Sequence, residues 1–377
     1  MECLPEKSVR MDNKIRVGIT HGDVNGVSYE VILKTLAMEG ITELFTPVIF
    51  GVPSIAEKAK ANLSFQNLSF NIIKSASEAK SGKINLVALK TVPELHPGTV
   101  RTDAGKSAVD ALEEAVKALK NGDIDVLVTA PISKEAVQSD LFHFPGHTEY
   151  LTDRLGEGEE AMMILCNDAL RVALLTKHVP ITKIAENISK DKIINAVEKF
   201  SATLKKDYGI VRPTIAILSL NPHAGDGGLI GKEEEEIIKP ALEDLQQKGI
   251  LAFGPFPADG FFGHASYKNF DGVLAMYHDQ GLAPFKTIAT SGGVNFSACL
   301  PYVRTSPDHG TAYDIAWKGE ADFTSMKDAI YLAIDIFRRR QTFLAASANP
   351  LKQYVQERPE RNDRKELKLD LNLETDD

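Results

Sequence analysis

Apolar residues along this chain fall into short runs separated by longer stretches in which they recur with helical period. Six runs rich in β-branched and aliphatic residues read as buried strands: Ile15–Thr20, Pro47–Phe50, Val126–Thr129, Arg171–Thr176, Thr214–Leu220 and Gly272–Met276. Helices are predicted over Ala104–Asn121, Ser189–Leu204 and Lys232–Lys248. Ser189 is a suitable N-cap, because its hydroxyl can accept from a backbone N–H of the first turn. The third helix carries Glu233–Glu236 in its opening turns, where negative charge complements the helix dipole, and Gly249 just past its end. Pro240 lies inside it and predicts a kink or break. Strand and helix alternating at this spacing predict an α/β protein with a largely parallel sheet. There is no internal repeat, and no obvious linker marks a domain boundary.

The two ends differ from the middle. The first dozen residues are polar, and from about Gln356 onward the chain is charged and poor in large apolar residues. A disordered or extended tail is expected there, since it cannot bury enough surface to offset the entropy of ordering. Its alternating leucines, LKLDLNL, would allow a short strand on contact with a partner. The chain has 377 residues, 43% hydrophobic and 25% charged, enough for one large or two ordinary domains. The net charge of −9 forms no basic stripe, which excludes nucleic acid as a partner class. An anionic ligand would therefore have to be met by a few local cations. Three scattered cysteines, Cys3, Cys166 and Cys299, without CxxC spacing argue for a reducing compartment. No signal peptide and no apolar run of about 20 residues is found, so a cytoplasmic protein with no membrane contact is expected.

Candidate chemistry concentrates at strand ends. His178 follows RVALLT by two residues, His223 follows TIAILSL by three, and His278 follows GVLAM by two. In an open α/β sheet, ligands gather beyond the carboxyl ends of strands. Three imidazoles there can converge on one divalent ion, or be three unrelated loop histidines. Asp279 would be a carboxylate ligand or an acceptor orienting a histidine. FPGHTEYLT sets Pro145 and Gly146 in a turn before His147 and Thr148. A helix starting near Thr148 would offer free N–H groups to an anion, or be simply a capped start. Lys286, Asn295 and Arg304 follow, the last two flanking an apolar segment; the two cations are either ligands of an anion or solvated charges. GDGGLIG misses the GxGxxG spacing and there is no P-loop motif, so no standard fingerprint suggests a nucleotide.

The strings FPGHTEYLT, TKHVP, LNPHAGDGG, GPFPAD, MYHDQGLAPFK and GVNFSACLPYVRTSPDHGTAYDIA occur here in one order. In that order the chain, from about Ile15 to Ala346, resembles the 4-hydroxythreonine-4-phosphate dehydrogenase family. The resemblance implies a fold like isocitrate and isopropylmalate dehydrogenases: two α/β domains with an interdomain cleft, in a homodimer whose sites are shared between subunits. By that analogy residues 14–135 plus 296–350 form the first domain, and 136–295 the second, with the metal site. Residues 1–13 are then a flexible extension and 351–377 a charged tail. The implied cofactors are NAD, bound without a glycine-rich fingerprint, and one divalent ion: zinc, cobalt, magnesium or manganese. The metal ligands fall on His178, His223 and His278, and the substrate contacts on His147, Thr148, Lys286, Asn295 and Arg304. Asp308, His309, Gly310 and Thr311 resemble the adenosine-side loop of the wider dehydrogenase group.

The implied substrate is 4-phosphooxy-L-threonine, oxidised and decarboxylated to 3-amino-2-oxopropyl phosphate for pyridoxal phosphate synthesis. Lys286, Asp279 and Asp259 are the candidate proton-transfer groups. The first loop, GDVNGVSYE after His21, departs from the family's usual Gly-Asp-Pro-Ala-Gly-Ile-Gly-Pro-Glu, and GPFPADGFF lacks the threonine common after the aspartate. These departures leave D-threonate or D-erythronate 4-phosphate as alternative substrates. A histidine-metal hydrolase is the rival from another class, and a transferase resembling phosphate acetyltransferase a third reading.

Overall fold

The computed structural model describes residues 14–138, 142–144, 146–290 and 292–349. Pro145, the extension 1–13 and the tail 351–377 lie outside the described residues. Twelve strands follow along the chain: β1 Arg16–Thr20, β2 Thr46–Gly51, β3 Phe70–Ile73, β4 Ile84–Ala88, β5 Val126–Thr129 and β6 Met162–Cys166. Then come β7 Arg171–Leu174, β8 Thr214–Leu218, β9 Leu251–Phe256, β10 Gly272–Ala275, β11 Val294–Ala298 and β12 Arg304–Pro307. The helices are α1 Ser28–Leu36, α2 Ile41–Leu44, α3 Pro53–Asn62, α4 Thr102–Lys120, α5 Lys134–Val137 and α6 His147–Leu155. They continue as α7 Lys190–Lys206, α8 Lys239–Gln247, α9 Ala258–Gly263, α10 His278–Ile288 and α11 Thr324–Ser347.

All six predicted strands form, within two residues at each end. They join one sheet of order β3-β4-β2-β1-β5-β12-β11-β6-β7-β10-β8-β9. Pairing is parallel except β12–β11, β11–β6 and β6–β7. Those reversals turn β7, β10, β8 and β9 against the direction of β1, β5 and β12. The sheet therefore has two parallel wings joined by an antiparallel centre. The boundary expected at residue 296 falls inside β11, which pairs with β12 on one side and β6 on the other.

Local sequence accounts for the helices. Ser189 caps α7, accepting from Lys192 N. The predicted helix 232–248 is divided: a π-turn over Glu234–Ile238 leads into α8, with Pro240 in α8's first turn, where its missing N–H is not needed. Gly249 ends α8 with φ of 73°. α11 lies against the central sheet, where Thr305 Oγ1 donates to Ala329 O at 2.7 Å. Its far end is held to α7 by Arg340, which donates from Nε and a terminal nitrogen to the buried Asp207 carboxylate at 2.7 and 3.1 Å. Among the described residues no helix is long and apolar enough to cross a membrane.

One close approach fixes the short helix α5. A Cβ at Gly105 of α4 would stand 1.9 Å from Ala136 O, so only a glycine lets the two helices touch. Gly105→Ala is expected to destabilise the protein by about 1–3 kcal/mol, as overpacking does. Urea unfolding checks this, and an unchanged midpoint would rule out so tight a packing.

Candidate active site

A cavity of about 320 Å³ lies over the antiparallel centre of the sheet. Its floor follows from strand register. Asn295 of β11 pairs with Leu165 of β6 on one side and Ser306 of β12 on the other. Side chains two apart share a sheet face, which adds Met163, Ser297 and Arg304 to that surface. Asn295 and Arg304, predicted to flank an apolar segment, are thus strand residues. The walls are loops and helix starts: Lys134 after β5, Gly146–Glu149 at α6, Lys177 and His178 after β7, and His278, Leu282 and Lys286 of α10. Asp308, His309 and Gly310 after β12 complete it.

Arg304 is the dominant charge. It is 1% exposed, and donates to Ser297 Oγ at 3.0 Å and Thr129 Oγ1 at 2.5 Å, both neutral acceptors, while its Nε has no partner. Burial pushes its guanidinium down to about 9, partly offset by the charge of Glu149. It still carries its proton at neutral pH, a buried cation with no carboxylate bonded to it among the described residues. Beside it, burial and then the Arg304 charge hold the His147 ring well below its ordinary value, so the imidazole is neutral. His147 as a residue is half-buried, but its Nε2 is shut from solvent and unpartnered. Asn295 Oδ1 and His309 Nε2 are also buried without partners. Buried polar atoms are rarely left so, and four on one cavity mark a place for a polar ligand. α6 adds to this: its N-cap is Gly146, and no side chain caps its free N–H groups.

The three sequence-predicted histidines follow β7, β10 and β8, which are adjacent parallel strands, so they leave the sheet at one edge. Two line the cavity: the rings of His178 and His278 are 6.2 Å apart. His278 Nδ1 lies 2.6 Å from Asp279 Oδ1, an N–H to carboxylate bond that leaves Nε2 free to take a ligand. Burial, and next the charge of Lys134, lower the pKa of His178. Gln280 anchors α10, donating to Ser219 O at 2.6 Å and accepting from Met276 N at 2.7 Å.

His223 is exposed and does not line the cavity. Among the described residues no three His, Cys, Asp or Glu side chains are grouped as a metal centre. His223 begins a run of left-handed residues, with φ of 51° at His223, 52° at Ala224 and 46° at Asp226. Such backbone is strained for non-glycine residues and is held only by its surroundings. The brace is the buried Glu234 of the π-turn, whose Oε1 accepts from Leu220 N and Asn221 N at 2.8 and 2.7 Å.

The remaining predicted residues divide. Thr148, Lys286, Asp308 and Gly310 line the cavity. Asp279 reaches it only through His278, and Asp259 is exposed on α9, off the lining. Thr311 turns away, its carbonyl accepting from Val27 N at 3.0 Å. Lys134, Lys177 and Glu149 were missed. Lys134 stands five residues past the end of β5, farther along its loop than the two or three residues that marked the histidines.

The departing first loop is buried and tied by hydrogen bonds to the segment that holds Tyr313 and Trp317. Asp23 accepts from Tyr313 Oη at 2.6 Å, and Trp317 Nε1 donates to Val24 O at 2.9 Å. His21 is fully buried, stacked on Tyr29, with Nε2 3.2 Å from Ser107 Oγ. Burial pushes it down to about 4. Below the unfolded value of 6.5 the unfolded chain binds a proton that the folded protein refuses. Stability attributable to His21 is thus full above pH 6.5 and falls by about 3 kcal/mol as pH drops to 4. Denaturant unfolding across that range checks it: His21→Gln should flatten the slope, and an unaltered slope would reject the assignment.

The family model described as pyridoxal phosphate biosynthetic protein PdxA matches residues 43–333. The chain belongs to the PdxA family. It is 52% identical to a 4-hydroxythreonine-4-phosphate dehydrogenase of Bacteroides thetaiotaomicron, over 95% of this chain and 98% of that one. It is 39% identical to a D-threonate 4-phosphate dehydrogenase of Cupriavidus necator, over 86% of this chain and 98% of that one. The solved 4-hydroxythreonine-4-phosphate dehydrogenase of Klebsiella pneumoniae superposes with a TM-score of 0.75 at 33% identity, covering 87% of this chain and 99% of that one. The PdxA-family chain is thus an α/β dehydrogenase, and the two curated relatives above are named for different phosphorylated hydroxy acids.

Proposed function

We propose that this enzyme oxidises 4-phosphooxy-L-threonine with NAD and a divalent ion, yielding 3-amino-2-oxopropyl phosphate and CO₂ for pyridoxal phosphate synthesis, as a cytoplasmic homodimer. The observation that carries the reading is the buried Arg304, bonded to no carboxylate among the described residues, beside the unpartnered His147 and Asn295. A phosphorylated acid brings the anionic oxygens this group needs. Glu149 forms no lysine or arginine ion pair among the described residues and lies 4.0 Å from His178 Nδ1, a carboxylate suited to the substrate's ammonium. That favours the amino acid over D-threonate 4-phosphate, the runner-up, which lacks the amine.

The donor set fits a divalent ion in chemistry: His178 and His278 would hold it from the cavity wall, with His223 from the neighbouring strand end. Such an ion polarises the hydroxyl being oxidised. NAD, when bound, would supply the hydride acceptor, and the buried Nε2 of His309 is a group left to bond the nucleotide. The chain's own part is placement. Arg304, His147 and Thr148 hold the anionic end, while Asn295 orients the polar middle. Asp279 fixes the His278 ring. Lys286, with no hydrogen-bond partner among the described residues, binds the substrate, and takes the hydroxyl proton only once it has released its own to solvent. Asp259, off the cavity, is the weaker candidate for that step.

The test is NADH formation with purified protein, NAD and a divalent ion, comparing 4-phosphooxy-L-threonine with D-threonate and D-erythronate 4-phosphates, and repeated with EDTA. Chelator-sensitive turnover greatest with the amino acid is expected. A preference for either sugar acid would move the enzyme to the alternative reading, and phosphate release without NAD would replace it with a hydrolase.

A further inference from the structure

Lys134 is the cavity cation that no motif marked. It opens α5, whose place is set from both sides. Gly105 brings α4 against Ala136, and Ser133 Oγ accepts from Ala136 N at 3.2 Å. Its stem passes the start of α6, where a Cβ at Gly146 would lie 3.8 Å from Lys134 Cε. Its Nζ forms no hydrogen bond or ion pair among the described residues. The other wall lysine after a strand, Lys177, is already engaged, donating to Ala161 O at 2.9 Å. Lys134 therefore stands on a rigid base at the mouth of the uncapped α6 N-terminus, with the buried Arg304 Nε and His147 Nε2 unpartnered on the same cavity.

We infer that Lys134 is a further substrate-binding residue, closing the anion site from the β5 side with an ammonium that bonds a phosphate or carboxylate oxygen. The inference rests on the anion-site reading of Arg304, His147 and Thr148 and adds a fourth donor. A lysine is a point charge on a flexible stem, so it can follow either anionic group where the fixed Arg304 cannot.

The experiment titrates inorganic phosphate, and separately unphosphorylated D-threonate, into the full-length protein by calorimetry without NAD. Unsubstituted protein is compared with Lys134→Met, Lys134→Arg and Arg304→Met. Lys134→Met is expected to weaken one of the two ligands by about 10–100-fold, the range of a lost charge-assisted bond, with Lys134→Arg recovering most of it. Weakened phosphate assigns Lys134 to the phosphate group, and weakened threonate to the carboxylate. Turnover should show a raised substrate KM with the KM for NAD unchanged. Both ligands binding Lys134→Met as they bind the unsubstituted protein, while Arg304→Met loses them, would overturn the role of Lys134 and keep the anion site. Loss in neither variant would overturn both.

Discussion

Arg304→Met should give a protein that melts higher than the unsubstituted one and binds its substrate about 10²–10³-fold more weakly. Both halves follow from one arrangement. The guanidinium is almost wholly buried, yet its bonded partners are the hydroxyls of Ser297 and Thr129. Removing it strands no buried carboxylate, which is the usual cause of the large penalty when one member of a buried ion pair is deleted. An apolar side chain of similar length keeps the packing and ends the cost of holding a charge away from water. Exchanges of this kind gain about 1–4 kcal/mol, a few degrees in melting temperature for a chain of this size. The binding half is a truncated, desolvated charge contact, for which about 2–5 kcal/mol is typical. Saturating phosphate should raise the melting point of the unsubstituted protein and leave that of Arg304→Met unmoved. A variant that melts lower and still responds to phosphate would show Arg304 to be structural.

How much of this was legible beforehand depended on the period of the pattern. β1, β5 and β10 are continuous apolar runs, buried on both faces, and were read almost to the residue. The central strands β11 and β12 were not, because they sit in a segment where Asn295, Ser297, Arg304 and Ser306 alternate with apolar neighbours. That alternation is the signature of a strand with one polar face, here the floor of the site. Read as an apolar segment flanked by polar residues, it named two residues that line the cavity and missed that neighbouring strands bring them there. Lys134 and Glu149 illustrate the complementary loss: each looks like surface charge in sequence, and only the packing of α5 and α6 against the cavity says otherwise. The long motifs pointed to the family where composition could not, since nothing in charge or glycine spacing suggested a nucleotide.

His178→Ala and His278→Ala should each lower kcat at least about 10³-fold with the fold intact, the scale seen when a group that stabilises developing charge is removed. Their rings share the cavity wall, and the Asp279 carboxylate leaves one face of His278 free for a ligand. His223→Ala is the sharper experiment. Its ring stands outside the cavity lining, on a strained loop that Glu234 braces at its base. Backbone strain held in place by a buried carboxylate is expected where a side chain must be presented for function. A loss equal to that of the other two, together with loss of stoichiometric metal measured on the purified protein, would place all three on one ion. Near-normal activity with metal retained would remove His223 from the set and leave His178 and His278 to be completed by substrate or water. Circular dichroism on each variant separates either result from unfolding, and Asp279→Asn should fall between, since it loosens the His278 ring without deleting it.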